Sequence, residues 1–163
     1  MKKTVIAVIS ILLVSVMLFS CGEKEVSYRN GVDLAALSAE LEKNISKASN
    51  LGDGSEDFIE FFLDLDSSLF TSSVVRTPTG ALSIDEYAVF EAKDDESASK
   101  IAEALDKYLA GRKEAWDGRY NASEKPKLDN AKTFRYGEYA GYVILSASES
   151  SAFLSSLDKG LRN

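Results

Sequence analysis

The chain has 163 residues with 19 Lys and Arg, 26 Asp and Glu and no histidine, for a formal charge of −7. That balance speaks against non-specific nucleic-acid binding, which needs a cationic surface to displace counterions. The lack of histidine excludes imidazole-based serine or cysteine triads and His/Cys zinc sites, and the single cysteine leaves no intrachain disulfide.

Lys2 and Lys3 precede an apolar run from Val5 to Phe19, and the run ends in Leu18-Phe19-Ser20-Cys21. A basic start, an apolar core and a small residue before the cut are the parts of a secretory signal. With the cysteine placed directly after the cut, they resemble a bacterial lipoprotein signal, residues 1–20. The resemblance implies that Cys21 is the lipid-attachment residue, acylated (palmitate) and holding the mature chain at a membrane surface. An uncleaved anchor fits less well: a span needs about 20 apolar residues, and Thr4–Ser20 is shorter and interrupted by Ser10 and Ser15. Residues 21–32 are polar, contain Gly22 and Gly31, and read as a tether that reaches at most roughly 35 Å when extended. The remainder, 33–163, has the length of a single domain.

Asp33 can cap a helix running to about Ala48, with Leu34, Leu37, Leu41 and Ile45 on one face. Asn50 to Gly54 reads as a turn, followed by a short helix, Ser55–Leu63, whose Phe58, Ile59, Phe61, Phe62 and Leu63 predict burial on most sides. Thr71–Thr77 and Ser83–Lys93 are predicted strands joined by a turn at Pro78-Thr79-Gly80. Asp94-Asp95-Glu96 opens the longest helix, to about Tyr120, with acidic groups suited to the positive end of its dipole. A polar loop, Asn121–Asn130, leads to two strands, Lys132–Tyr136 and Gly141–Ala147, and a closing helix, Ser148–Gly160. This order predicts an α+β fold: a two-layer sandwich with a four-stranded antiparallel sheet from two β-β-α units, helices on one face, preceded by two helices.

Four features together resemble the small lipoproteins grouped as domain of unknown function 4358, typical of low-GC Gram-positive bacteria. They are the cysteine signal, the segment Tyr87 to Lys93, the long helix from Ser97 into Trp116–Tyr120, and the hairpin Tyr139 to Leu145. The resemblance implies a cell-surface lipoprotein and carries over no functional residue beyond Cys21.

Chemistry is sparse. Ser97-Ala98-Ser99-Lys100 matches Ser-x-x-Lys at a helix start, but Ser156-Leu157-Asp158-Lys159 matches equally and Phe134 replaces the glycine of Lys-Thr-Gly after Lys132-Thr133. Carboxylates at Asp64/Asp66, Asp85/Glu86 and Asp94/Asp95/Glu96 could pair for glycoside hydrolysis or bind calcium, yet suit helix starts better. Between Asp33 and Asp106 there are 17 acidic and 5 basic residues, whereas Arg112–Arg135 holds 7 basic and 4 acidic. That basic segment, with Trp116, Tyr120, Phe134, Tyr136, Tyr139 and Tyr142, reads either as core and rim or as a platform for an anionic polymer.

No catalytic, metal or cofactor residue is assigned. The expectation is a lipid-anchored, extracytoplasmic, non-enzymatic binding or accessory module at the cell envelope. Its membrane contact runs through Cys21, and its candidate partners are another envelope protein or an anionic wall polymer. The alternative is a carboxylate-dependent hydrolase of wall glycan.

Overall fold

The computed structural model describes residues 26–117 and 121–163. The predicted signal at 1–20, Cys21, and Arg119 and Tyr120 lie outside them. Five strands form one antiparallel sheet in the order β1-β2-β3-β5-β4. β2 (Phe70–Pro78) and β3 (Glu86–Ala92) make a hairpin with Phe70 opposite Ala92 and Arg76 opposite Tyr87. β4 (Lys132–Tyr136) and β5 (Tyr139–Ile144) make a second, turning through Gly137 at φ 60°. β5 inserts between β3 and β4, pairing Glu86 with Ile144 and Glu91 with Tyr139. The fifth strand, β1 (Leu51–Asp53), pairs with Pro78–Arg76 of β2 in a stretch whose Gly and Asp residues read as a turn. Strand pairing overrides local propensity there, and the predicted four-stranded sheet is corrected to five strands.

The helices cover both faces, not one. α1 (Leu34–Leu41) and α4 (Ala147–Leu161) pack on the side carrying Tyr87, Val89, Tyr139 and Val143. α2 (Asp95–Glu114) and the short α3 (Lys125–Asp129) pack on the side carrying Ala88, Phe90, Ala140, Tyr142 and Ile144. The predicted two-layer sandwich is therefore three layers. The physical reason lies in β3 and β5, which are buried along their whole length because successive residues on both faces are apolar or aromatic. α2 leaves β3, crosses beneath β5 and returns in β4, parallel to β3; α4 leaves β5 and covers the opposite face.

The helix ends follow local chemistry. Asp33 accepts from Ala36 N–H at 3.0 Å and Asp94 from Ser97 N–H at 2.7 Å, so both are N-caps. α2 ends at Glu114, short of the predicted Tyr120, and α1 gives way at Glu42 to a 3-10 turn. Ser146 and Glu149 form a capping box at α4, in which Glu149 also accepts from the Ser46 N–H at 2.9 Å and its hydroxyl at 2.7 Å. Residues 27–32, at the end of the stretch read as tether, lie against the domain. Tyr28 bridges to Arg162 and stacks on Tyr136 at 5.7 Å, and Arg29 N–H donates to the Leu161 carbonyl at 2.8 Å.

Two outcomes follow for stability. A Cβ at Gly141 would lie 2.1 Å from the Ala88 carbonyl oxygen and 2.3 Å from Phe134 Cζ, so Gly141→Ala is expected to destabilise the fold by about 3 kcal/mol, read from the urea midpoint. Burial raises the Glu149 carboxyl, but hydrogen bonds from Ser146 and Ser46 outweigh it and hold the group down at about 2, from an ordinary 4.5. Its stabilisation is therefore complete above the unfolded value and lost as pH falls through the folded one. Glu149→Gln should flatten the decline of the urea midpoint between about pH 5 and about pH 2.

Candidate functional site

Burying β3 and β5 on both faces forces their polar groups to find partners inside the protein. The Glu86 side chain, 2% exposed, accepts from Tyr108 Oη at 2.6 Å and from Tyr142 Oη, and pairs with Arg112 Nη1 at 2.9 Å. Burial first, and then the Glu86 charge, push both tyrosine hydroxyls above their ordinary range. Neighbouring Asp85, just before β3, pairs with Lys127 Nζ at 2.6 Å, and Lys127 also holds Glu124 at 2.8 Å. Glu91 accepts from Gly31 N–H, from Ser72 Oγ at 2.9 Å and from Tyr139 Oη at 3.1 Å; burial, opposed in part by the Val32 N–H, brings the Tyr139 hydroxyl to about 12. Tyr87 Oη donates to Glu42, which also pairs with Arg76 at 2.8 Å. These groups are buried or half-buried and engaged with one another, which suits holding layers together better than turning over a substrate.

Of the carboxylates singled out in the sequence, Asp64 and Asp66 stay together at one surface depression, while the others disperse. Asp85 and Glu86 serve separate clusters. Asp66 caps a 3-10 turn through Ser68 N–H at 2.7 Å, Asp95 pairs with Arg135, and Glu96 pairs with Lys100 at 2.7 Å. Hydrogen bonds from Ser68 and Ser97 hold Asp66 and Asp94 below the ordinary carboxylate range, opposite to what a general acid requires. Lys100 is thus engaged with Glu96 one turn back, and Ser99 Oγ donates to the Asp95 carbonyl at 3.0 Å. In the basic segment, Arg112, Lys125, Lys127 and Arg135 are ion-paired within the domain. Of its aromatic residues, Phe134, Tyr139 and Tyr142 are core, while Trp116 and Tyr136 pack at the core's edge. Among the described residues no group of three or more Asp, Glu or Cys is placed to hold a metal ion, and no helix is long and apolar enough to cross a membrane.

What the sequence reading missed lies between β1 and β2. The segment predicted as a buried helix, Ser55–Leu63, is a π-helical turn, Phe58–Phe62, in which Phe61 and Phe62 are 72% and 66% exposed. Only Leu63 and Leu65 enter the core fully, because the turn sits over the edge of the sheet, with Phe58 and Ile59 as its half-buried base. Leu63 N–H donates to the Phe58 carbonyl at 3.1 Å. Asp64 then takes φ 54°, and Leu65 N–H donates back to Ile59 at 3.2 Å; Asp is among the few residues that tolerate this left-handed step. Aromatic contacts lead inward from the surface. Phe62 stacks on Phe58 at 5.4 Å, Phe58 meets Tyr108 edge-on at 6.1 Å, and Tyr108 meets Tyr142 at 5.4 Å, next to Glu86.

Two depressions flank Asp64-Leu65. One, of about 610 Å³, has an apolar floor of Ile59, Leu65 and Phe70 beneath the carboxylates of Glu56, Glu60, Asp64 and Asp66. The other, of about 440 Å³, runs from Phe62 to Tyr108 along α2. The first also reaches Ser73, on a part of β2 that β1 does not cover, since β1 pairs only with residues 76–78. Val75 accepts from Gly54 N–H at 2.8 Å on that side. Backbone direction repeats every second residue, so Ser73 turns its N–H and C=O toward the same open edge.

A five-stranded antiparallel sheet clad by helices on both faces, with an acidic cleft at one open edge, defines an α+β domain. The family model for a domain of unknown function, DUF4358, matches residues 43–145, and the chain belongs to that family. No curated protein and no solved structure matches it.

Truncating Glu86 would leave Arg112 and two tyrosine hydroxyls without their shared acceptor. Glu86→Ala should therefore lower unfolding free energy by about 3 kcal/mol, checked by urea denaturation, with Tyr142→Phe costing less.

Proposed function

We propose that the protein is a lipid-anchored extracytoplasmic module, attached through Cys21 and serving a non-enzymatic binding or accessory role at the cell envelope. The observation that carries the binding role is the pair Phe61 and Phe62, large apolar side chains left in water near an acidic cleft, with Phe62 braced by the aromatic contacts down to Tyr142. Exposed aromatic groups on a rigid support are what binding surfaces use as anchors. The anchoring role rests on the Lys2-Lys3 start, the apolar run and the solitary Cys21. The chain enters the domain at Tyr28 on the α1/α4 face, while the exposed pair belongs to the α2 face, so a nearby attachment point leaves the cleft accessible. The wall-glycan hydrolase reading has weaker support, because all but Asp64 of the carboxylates it needs are caps and ion-pair partners.

Labelling cells with a fatty-acid analogue should mark the wild-type chain and not Cys21→Ser, whose precursor should remain unacylated; equal labelling would remove the anchor. Cross-linking in intact cells should join the wild-type chain to one envelope component and lose it in Phe61→Ser/Phe62→Ser. Loss of wall-degrading activity on substituting Asp64 or Asp66, with the fold retained, would favour the hydrolase instead.

A further inference from the structure

We propose that the cleft beside Phe61 and Phe62 takes up an extended protein segment with basic and apolar side chains at alternate positions, added as a further strand along the open edge of β2. This rests on the reading of the protein as an envelope binding module and names what it binds. Three independent observations converge on the same place. The backbone of Ser73 faces an edge with no strand on it, which is where an incoming chain finds main-chain hydrogen bonds. The side chain of Ser73 lines the cleft, so alternate residues of an added strand point into it, over Ile59, Leu65 and Phe70. The rim of that cleft carries Glu56, Glu60, Asp64 and Asp66 and no basic residue.

Charge selects the occupant. Four carboxylates repel anionic lipid headgroups and anionic wall polymers and attract Lys or Arg. Pairing with a second copy through the same edge would set two such rims against each other. Apolar side chains between the basic ones would rest on Ile59, Leu65 and Phe70, which supply the anchor area that exposed ion pairs lack. Basic neighbours offset the rim only in part: Lys93 lies near Asp66 and Lys107 near Asp64, but Lys107 and Lys100 are already paired with Glu103 and Glu96 at 2.9 and 2.7 Å.

The test uses the full chain in neutral detergent micelles and two fluorescent peptides, Lys-Thr-Phe-Thr-Lys-Thr-Val-Thr and its counterpart with Glu in place of each Lys, followed by anisotropy. The basic peptide is expected to bind at least tenfold more tightly than the acidic one, and to weaken with salt. Ser73→Pro, which removes an edge N–H that β3 does not use, and separately Glu56→Lys/Glu60→Lys, which leaves the backbone alone, should each weaken it at least tenfold. Equal binding of both peptides, no binding of either, or affinity unchanged in the charge variant would overturn the proposal. So would self-association abolished by Ser73→Pro. A chain that ignores both peptides yet still cross-links its component in cells would overturn strand addition while leaving the binding-module reading intact.

Discussion

The enclosure of β3 and β5 on both faces is the constraint from which the rest of the structure follows. A strand with one wet face can leave its polar side chains in solvent, but Glu86 and Glu91 on β3 cannot reach it and must be neutralised or hydrogen-bonded from within. That need explains why tyrosines recur opposite carboxylates: Tyr108 and Tyr142 on Glu86, Tyr139 on Glu91, Tyr87 on Glu42. A tyrosine gives an apolar ring to the core and a donor to the carboxylate, so one residue type serves both demands. Two of the pairs, Tyr108 with Glu86 and Tyr87 with Glu42, also tie a helical layer to the sheet. Arg112 and Tyr108 fasten α2 to the sheet, while Glu91 gathers β2, β5 and the incoming chain at Gly31.

The same enclosure shapes the exposed surface. With helices on both faces, the open places on the sheet are its edges, and β1 is too short to cover β2 beyond Arg76. The connection from β1 back to β2 crosses this gap as a π-helical turn. Its inner residues join the core, and its outer phenylalanines have nowhere to go. Natural proteins ordinarily blunt such an edge with charge. Here the carboxylates of the rim do so against other acidic surfaces while leaving it open to basic ones.

The family membership and the geometry bear on different matters. DUF4358 covers residues 43–145 and thus the whole sheet, together with α2, but stops before α4. The buried clusters centred on Glu86 and Asp85 fall inside that span, as do the cleft and Ser73, while the Glu91 cluster reaches beyond it to Gly31.

The order of the long elements, the α2 cap at Asp94, the two hairpins and the closing helix were legible from the sequence, because periodicity and capping are local properties of neighbouring residues. The absence of imidazole chemistry was equally plain, since composition alone excludes it. The number of layers was not legible in practice, although Tyr87 and Val89 alternating with Ala88 and Phe90 already made both faces of β3 apolar. Which helix covers which face depends on β5 inserting between β3 and β4, a pairing between residues 48 to 58 positions apart. β1 and the exposure of Phe61 and Phe62 were likewise decided only in the folded chain. Five apolar residues in nine look like core by composition, but a segment that bridges the end of a sheet can bury only one side, and where that side falls is set by the strands around it.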